Sequence, residues 1–240
     1  MTGTLFSVGV GPGDPELMTL KAARILAAAP AYAYFAKHGR PSHAYGIAAG
    51  HLSPTAEVLR FDYPFTTEVS VRDPHYAIGM DAFYAAAAVT VAERLDAGSD
   101  VAILCEGDPF FYGSAMYLFD HLAPRYRHEV VPGITGMSGS WARACMPMTH
   151  GDDILTILPG TLDAATLTTR LAQTDAAVIM KVGRNLPKIR AALQDAGRHD
   201  AIYVERGTME GERIAPLATL PDGSAPYFSL ILVPGRQRPR

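Results

Sequence analysis

Three glycine-rich turns, each directly after an apolar run, hold most of the side chains in this sequence that can do chemistry. The first is Gly9-Val10-Gly11-Pro12-Gly13-Asp14-Pro15. A glycine turn after the first strand of an α/β sheet often cradles a pyrophosphate on helix N–H groups. Here Asp14 stands where that fingerprint wants its third glycine, and its charge repels phosphate. Pro12 and Pro15 each remove an N–H donor. The turn reads either as a plain strand-to-helix connection or as a rigid backbone wall beside an uncharged or cationic ligand.

The second turn is Glu106-Gly107-Asp108-Pro109-Phe110-Phe111-Tyr112-Gly113, at the carboxyl end of the apolar run Val101–Cys105. Two acids, two glycines and three aromatics stand where open α/β sheets bind ligands. Acids beside aromatic faces suit a cation such as a sulfonium; helix capping by the same acids is the alternative. The third is Val130-Val131-Pro132-Gly133-Ile134-Thr135-Gly136-Met137-Ser138, in which Thr135 and Ser138 can serve as ligand donors or as caps. His38 and His43, or His121 and His128, lack a companion set with ligand spacing, so no metal site is expected.

Positioning these turns requires strands that end at them. β-rich runs at Thr4–Val10, Ala31–Tyr34, Glu57–Phe61 and Val101–Cys105 alternate with helical segments at Thr19–Ala28, Ala44–His51, about Pro74 to Ala97, and Met116–Leu122. Thr19 and Ser42 stand at cap positions. A second set places strands near Glu129–Val131, Ile154–Leu158, Val178–Lys181, Ala201–Glu205, Arg213–Leu217 and Tyr227–Val233, with helices at Gly136–Ala144, Ala164–Gln173 and Pro187–Ala196. Its last strands follow one another without helices, which predicts antiparallel members. The fold class expected is α/β: two α/β domains, 1–124 and 125–240, with mixed, mostly parallel sheets and a ligand cleft between them. The boundary is drawn at the polar stretch Ala123–Arg127.

Composition narrows the function classes. The 240 residues are 48% hydrophobic and 19% charged, enough apolar material for a sizeable core. A net charge of −3 supplies no basic field, so nucleic acid is not expected as a partner. The two cysteines, Cys105 and Cys145, do not make a disulfide framework, and a reducing cytoplasm is expected. The opening residues MTGTLFSVGVGPGD meet glycine and proline too early for a signal peptide, and the alanine-rich stretches are too interrupted to cross a membrane.

Taken in order, Gly-x-Gly-Pro-Gly-Asp, Glu-Gly-Asp-Pro-x-x-Tyr-Gly and Val-Pro-Gly-Ile-Thr resemble the tetrapyrrole methylase family. The likeness extends to VIMKVG at Val178–Gly183, the Glu205-Arg206-Gly207-Thr208 turn and the last strand. EGDPFFYGSAMY at Glu106–Tyr117, PMTHGDD at Pro147–Asp153 and MKVGRN at Met180–Asn185 are similar to the branch that methylates precorrin-2 at carbon-20 on the route to cobalamin. The resemblance implies S-adenosylmethionine as methyl donor, held in the interdomain cleft by Pro12, Glu106, Gly107, Asp108, Phe111, Thr135, Gly136, Lys181 and Gly207. Methylation at another corrin position, or of a cobalt-containing intermediate, is the runner-up. The resemblance also implies a homodimer. Tyr112 and Asp108 are candidates for handling the proton that leaves. A polycarboxylate substrate needs cations, and Lys37, Arg40, Arg143 and Arg184 are the candidates. A dinucleotide oxidoreductase is disfavoured by the missing glycine; a tetrapyrrole carrier without activity is the remaining reading.

Overall fold

An apolar run with no alternation reads as a strand covered on both faces, and Val101–Cys105 is buried at every residue. In the computed structural model, which describes residues 1–65 and 74–235, this run is β4 of a parallel sheet. Its companions are β1 (Thr4–Gly9), β2 (Ala31–Lys37), β3 (Glu57–Tyr63) and β5 (Arg127–Val131), in the order β3-β2-β4-β1-β5. Helices α1 (Leu20–Ala28), α2 (His43–Ala48), α3 (Pro74–Asp96) and α4 (Ala115–Leu122) make the crossovers. The caps fall where their chemistry demands: Thr19 Oγ1 accepts from the Ala22 amide at 3.1 Å and Ser42 Oγ from the Tyr45 amide at 3.3 Å. Alternate strand residues feed two cores. Leu5, Ala33, Ile103 and Cys105 pack with α3 and α4 on one face. Val8, Tyr32, Tyr34 and Leu104 pack with α1 and α2 on the other.

The second sheet runs β6-β7-β10-β8-β9, from β6 (Leu155–Pro159), β7 (Ala176–Met180), β8 (Ile202–Glu205), β9 (Arg213–Pro216) and β10 (Ser229–Val233). β6 and β7 are parallel, and the other neighbours are antiparallel, so this sheet is mixed as expected. One face carries α6 (Ala164–Gln173) and α7 (Leu186–Asp195) through Leu167, Leu171, Ile189 and Leu193. The other carries Met137 and Trp141 of α5 (Gly136–Arg143).

Two expectations need correction. β5 was expected among the second set but pairs along β1, from Thr4↔Arg127 to Val8↔Val131. The chain accordingly divides into compact units 1–136 and 137–240, past the polar stretch at 123–127. That stretch is a surface turn feeding an edge strand, where polar residues remain solvated without marking a boundary.

Arg198, 5% exposed, is a charge inside the second unit. Its guanidinium donates to the carbonyls of Thr174 at 3.1 Å, Asp175 at 2.9 Å and Pro234 at 2.6 Å, tying the turn after α7 to the start of β7 and the end of β10. Arg198→Ala strands three carbonyls. We expect it to lower stability by about 3 kcal/mol or more, seen as a lower urea midpoint by fluorescence of Trp141, the only tryptophan. An unchanged midpoint would show that the clamp contributes nothing net.

Candidate active site

β1 and β4 are parallel neighbours from Leu5↔Val101 to Gly9↔Cys105. β1 leads to α1 on one face of the sheet, and β4 leads to α4 on the opposite face. Chains leaving adjacent strands toward opposite faces open a crevice beyond the carboxyl ends, the position that suits a ligand in such sheets. All three glycine turns of the sequence end at this edge: those after β1, β4 and β5.

The turns meet backbone to backbone. The Gly107 amide donates to Gly11 O at 2.8 Å. A Cβ on Gly9 would lie 2.6 Å from Gly107 O and 2.7 Å from Gly133 N, and a Cβ on Gly133 would strike Gly107 O directly. Neither position tolerates a side chain. Thr135 and Gly136 line the other side of Gly107, with Gly136 N 3.5 Å from where its Cβ would stand. Pro12 is buried between Gly11 and Gly13, and Asp14 caps the next turn by accepting from the Glu16 amide at 2.9 Å.

Asp108 closes the arrangement. Its Oδ1 accepts from the Phe110 amide at 2.9 Å and its Oδ2 from the Gly133 amide at 3.1 Å, so one carboxylate both folds its own loop and binds the β5 loop to it. Glu106 points elsewhere: its Oε1 accepts from the Ala44 amide of α2 at 3.1 Å. Burial raises its carboxyl to about 7. Phe111 and Tyr112 pack edge to face, with centroids 4.9 Å apart. Tyr112 is 46% exposed and held at φ 56°, a left-handed conformation costly for an aromatic residue.

The remaining cations are distributed. Lys37, the last residue of β2, and Arg40, in the turn that follows, are exposed, and Arg60 Nη2 holds this turn by donating to Arg40 O at 2.9 Å and Lys37 O at 3.4 Å. Lys181 and Gly207 stand after β7 and β8, in the second unit, and Arg184 is exposed in the turn before α7. Lys181 (φ 55°) and the neighbours of Gly207, Arg206 (φ 51°) and Thr208 (φ 67°), are also left-handed. Arg143 meets Glu212 through contacts of 2.9 to 3.0 Å and holds that carboxyl below the usual range, while Glu212 Oε2 accepts from the Thr208 amide at 2.7 Å. Arg143, expected to meet substrate carboxylates, is thus engaged by a carboxylate of its own unit.

Sequence reasoning missed Gly133, Ala44 and Glu212 as the hydrogen-bond partners of Asp108, Glu106 and Arg143. It also missed a hydroxyl cluster in which Ser114 Oγ lies 2.6 Å from the Tyr63 hydroxyl and accepts from Tyr84 at 3.1 Å, with burial pushing Tyr84 up to about 12. The glycine in Val-Pro-Gly-Ile-Thr was the one available signal.

With this geometry, the chain belongs to the tetrapyrrole (corrin/porphyrin) methylases, a family matched over residues 4–221. Within it, the chain is 54% identical to a precorrin-2 C(20)-methyltransferase of a Sinorhizobium species, over 99% of this chain and 98% of that one. It is 30% identical to a cobalt-precorrin-2 C(20)-methyltransferase of Salmonella typhimurium, over 97% of each. A uroporphyrin-III C-methyltransferase from Thermus thermophilus, solved in complex with S-adenyl homocysteine, shares the fold with a TM-score of 0.66. It is 24% identical, with 97% of this chain and 92% of that one covered.

The raised Glu106 carboxyl makes a signed prediction. The folded chain holds this proton more tightly than the unfolded chain, whose value is near 4.5. The contribution to stability is full below that value, falls as pH rises and is lost above about 7. Glu106→Gln cannot ionise, so its melting temperature relative to the unmodified protein should rise between about pH 5 and about pH 8. Parallel melting curves across that range would contradict the assignment.

Proposed function

We propose that this chain transfers the methyl group of S-adenosylmethionine to carbon-20 of precorrin-2, a tetrapyrrole intermediate of cobalamin formation. The observation that carries this reading is the 54% identity, end to end, with an enzyme of that name. When bound, S-adenosylmethionine supplies a methyl group made electrophilic by its sulfonium. The protein's part is to align donor and acceptor and keep water out. Gly136, where an added side chain would meet nothing within 4 Å, leaves open backbone beside Pro12 and Thr135 for a ligand. Phe111 and Tyr112 offer aromatic faces to a cation. Lys181 and Gly207 are proposed as further cofactor contacts on the family resemblance.

Both oxygens of Asp108 are occupied in holding backbone amides, and Tyr112 is the proposed proton-handling group. Lys37 and Arg40 are proposed to hold the acetate and propionate groups, with Arg184 as an additional partner. Among the described residues no group of three or more His, Cys, Asp or Glu gathers to hold a metal. We read the acceptor as metal-free, since the relative named for the cobalt form is the more distant of the two. A cytoplasmic homodimer is proposed on family resemblance. No helix among the described residues is long and apolar enough to cross a membrane.

Incubation with precorrin-2 and S-adenosylmethionine labelled with carbon-13 in its methyl group should place the label on carbon-20 by NMR. Label on another ring carbon, or none, would overturn the proposal. Asp108→Ala should weaken S-adenosylhomocysteine binding about tenfold or more in calorimetry and also lower the melting temperature, because the β5 loop loses its tie. Asp108→Asn should recover part of both. Undiminished affinity in the alanine variant would show that the tie does not shape the cofactor site.

A further inference from the structure

We propose that Glu106 is a positioning residue that ties the loop after β4 to the first turn of α2 and thereby sets the place of the Lys37–Arg40 loop; the substrate role of that loop rests on the function proposed above. The sheet itself creates the need. β2 pairs with β4 only from Ala31↔Val101 to Ala33↔Ile103. Beyond that, β2 continues along β3 to Lys37↔Tyr63, while β4 continues along β1 to Gly9↔Cys105. The carboxyl ends of β2 and β4 therefore part, and no ladder holds the loop after one to the loop after the other.

α2 sits on the face above this parting, with Ala44, Ile47 and Ala48 packed among Tyr32, Tyr34 and Leu104. It has six residues, too few to hold helical structure without tertiary support and capping. Among the described residues, side-chain hydrogen bonds from three elements help to secure it and the loop before it. Arg60 of β3 holds the carbonyls of Lys37 and Arg40, and the buried Ser42 caps the Tyr45 amide. Glu106 takes the Ala44 amide. Glu106 is the pin that comes from the same strand end as Gly107 and Asp108. A change in its length or acceptor would move the cationic loop relative to the glycine turns without altering Gly107, Asp108, Lys37 or Arg40 themselves.

The role requires an acceptor of glutamate length and does not require its charge, which separates it from proton transfer. Glu106→Ala and Glu106→Gln in the full chain make the test. Hydrogen exchange of the ligand-free protein should be several-fold faster across residues 38–48 in the alanine variant, with Val101–Cys105 unchanged and the glutamine variant close to the unmodified protein. In methyl-transfer assays the alanine variant should raise the tetrapyrrole KM about tenfold, the effect of roughly one lost hydrogen bond. The effect should fall on the tetrapyrrole KM more than on kcat, and Gln should restore KM. Should the alanine variant not fold, Glu106→Asp, one methylene short of the Ala44 amide, serves in its place. A glutamine variant whose kcat collapses would overturn the proposal in favour of acid–base chemistry. So would unchanged exchange across 38–48, or a loss confined to cofactor affinity. If precorrin-2 is not methylated at all, the functional reading fails while the exchange measurement still decides the tie.

Discussion

The close approach of Gly9, Gly107 and Gly133 is the constraint on which the candidate site of the first unit depends. Three strands ending side by side would ordinarily send out loops separated by their own side chains. Here the backbones touch, and Asp108 converts that contact into a directed connection by accepting from Phe110 and Gly133 at once. Carboxylate hydrogen bonds to backbone amides are among the stronger local ties available to a chain. This one occupies the place where a bare glycine surface would otherwise leave the loops free to slide.

Around that point the chain keeps charge and strain close to the strand ends. Glu106 is a carboxyl group carried into a desolvated position and given a helix amide for company. Cys105, next to it, is buried with its thiol pushed up to about 12, so it is packing material and not a nucleophile. Left-handed non-glycine residues follow β4, β7 and β8 at Tyr112, Lys181, Arg206 and Thr208. Such conformations persist when neighbouring contacts over-determine them. The Arg143–Glu212–Thr208 brace and the Asn185 side chain donating to Lys181 O at 3.2 Å are such contacts within the second unit.

What was legible in the sequence was whatever is local. The bounds of β4 and α6, the Thr19 and Ser42 caps, and the three strand-then-glycine turns follow from apolar runs and turn chemistry. The parallel first sheet and mixed second sheet follow from where helices intervene. What was not legible spans the chain. Asp108 meets Gly133 across 25 positions, Glu106 meets Ala44 across 62 and Arg143 meets Glu212 across 69. No spacing rule encodes such pairs, so the sequence alone did not show that Arg143 and Asp108 have partners within the chain. β5 was misassigned for the same reason: its register lies on β1, far back in the chain.

Under the proposed function, the cofactor rests on the joined backbones at the carboxyl ends of β1, β4 and β5. A crystal structure of the protein with S-adenosylhomocysteine tests it most directly. The ligand is expected against Pro12, the Gly107–Asp108 backbone and Thr135–Gly136. A ligand ordered elsewhere, clear of these three strand ends, would contradict it.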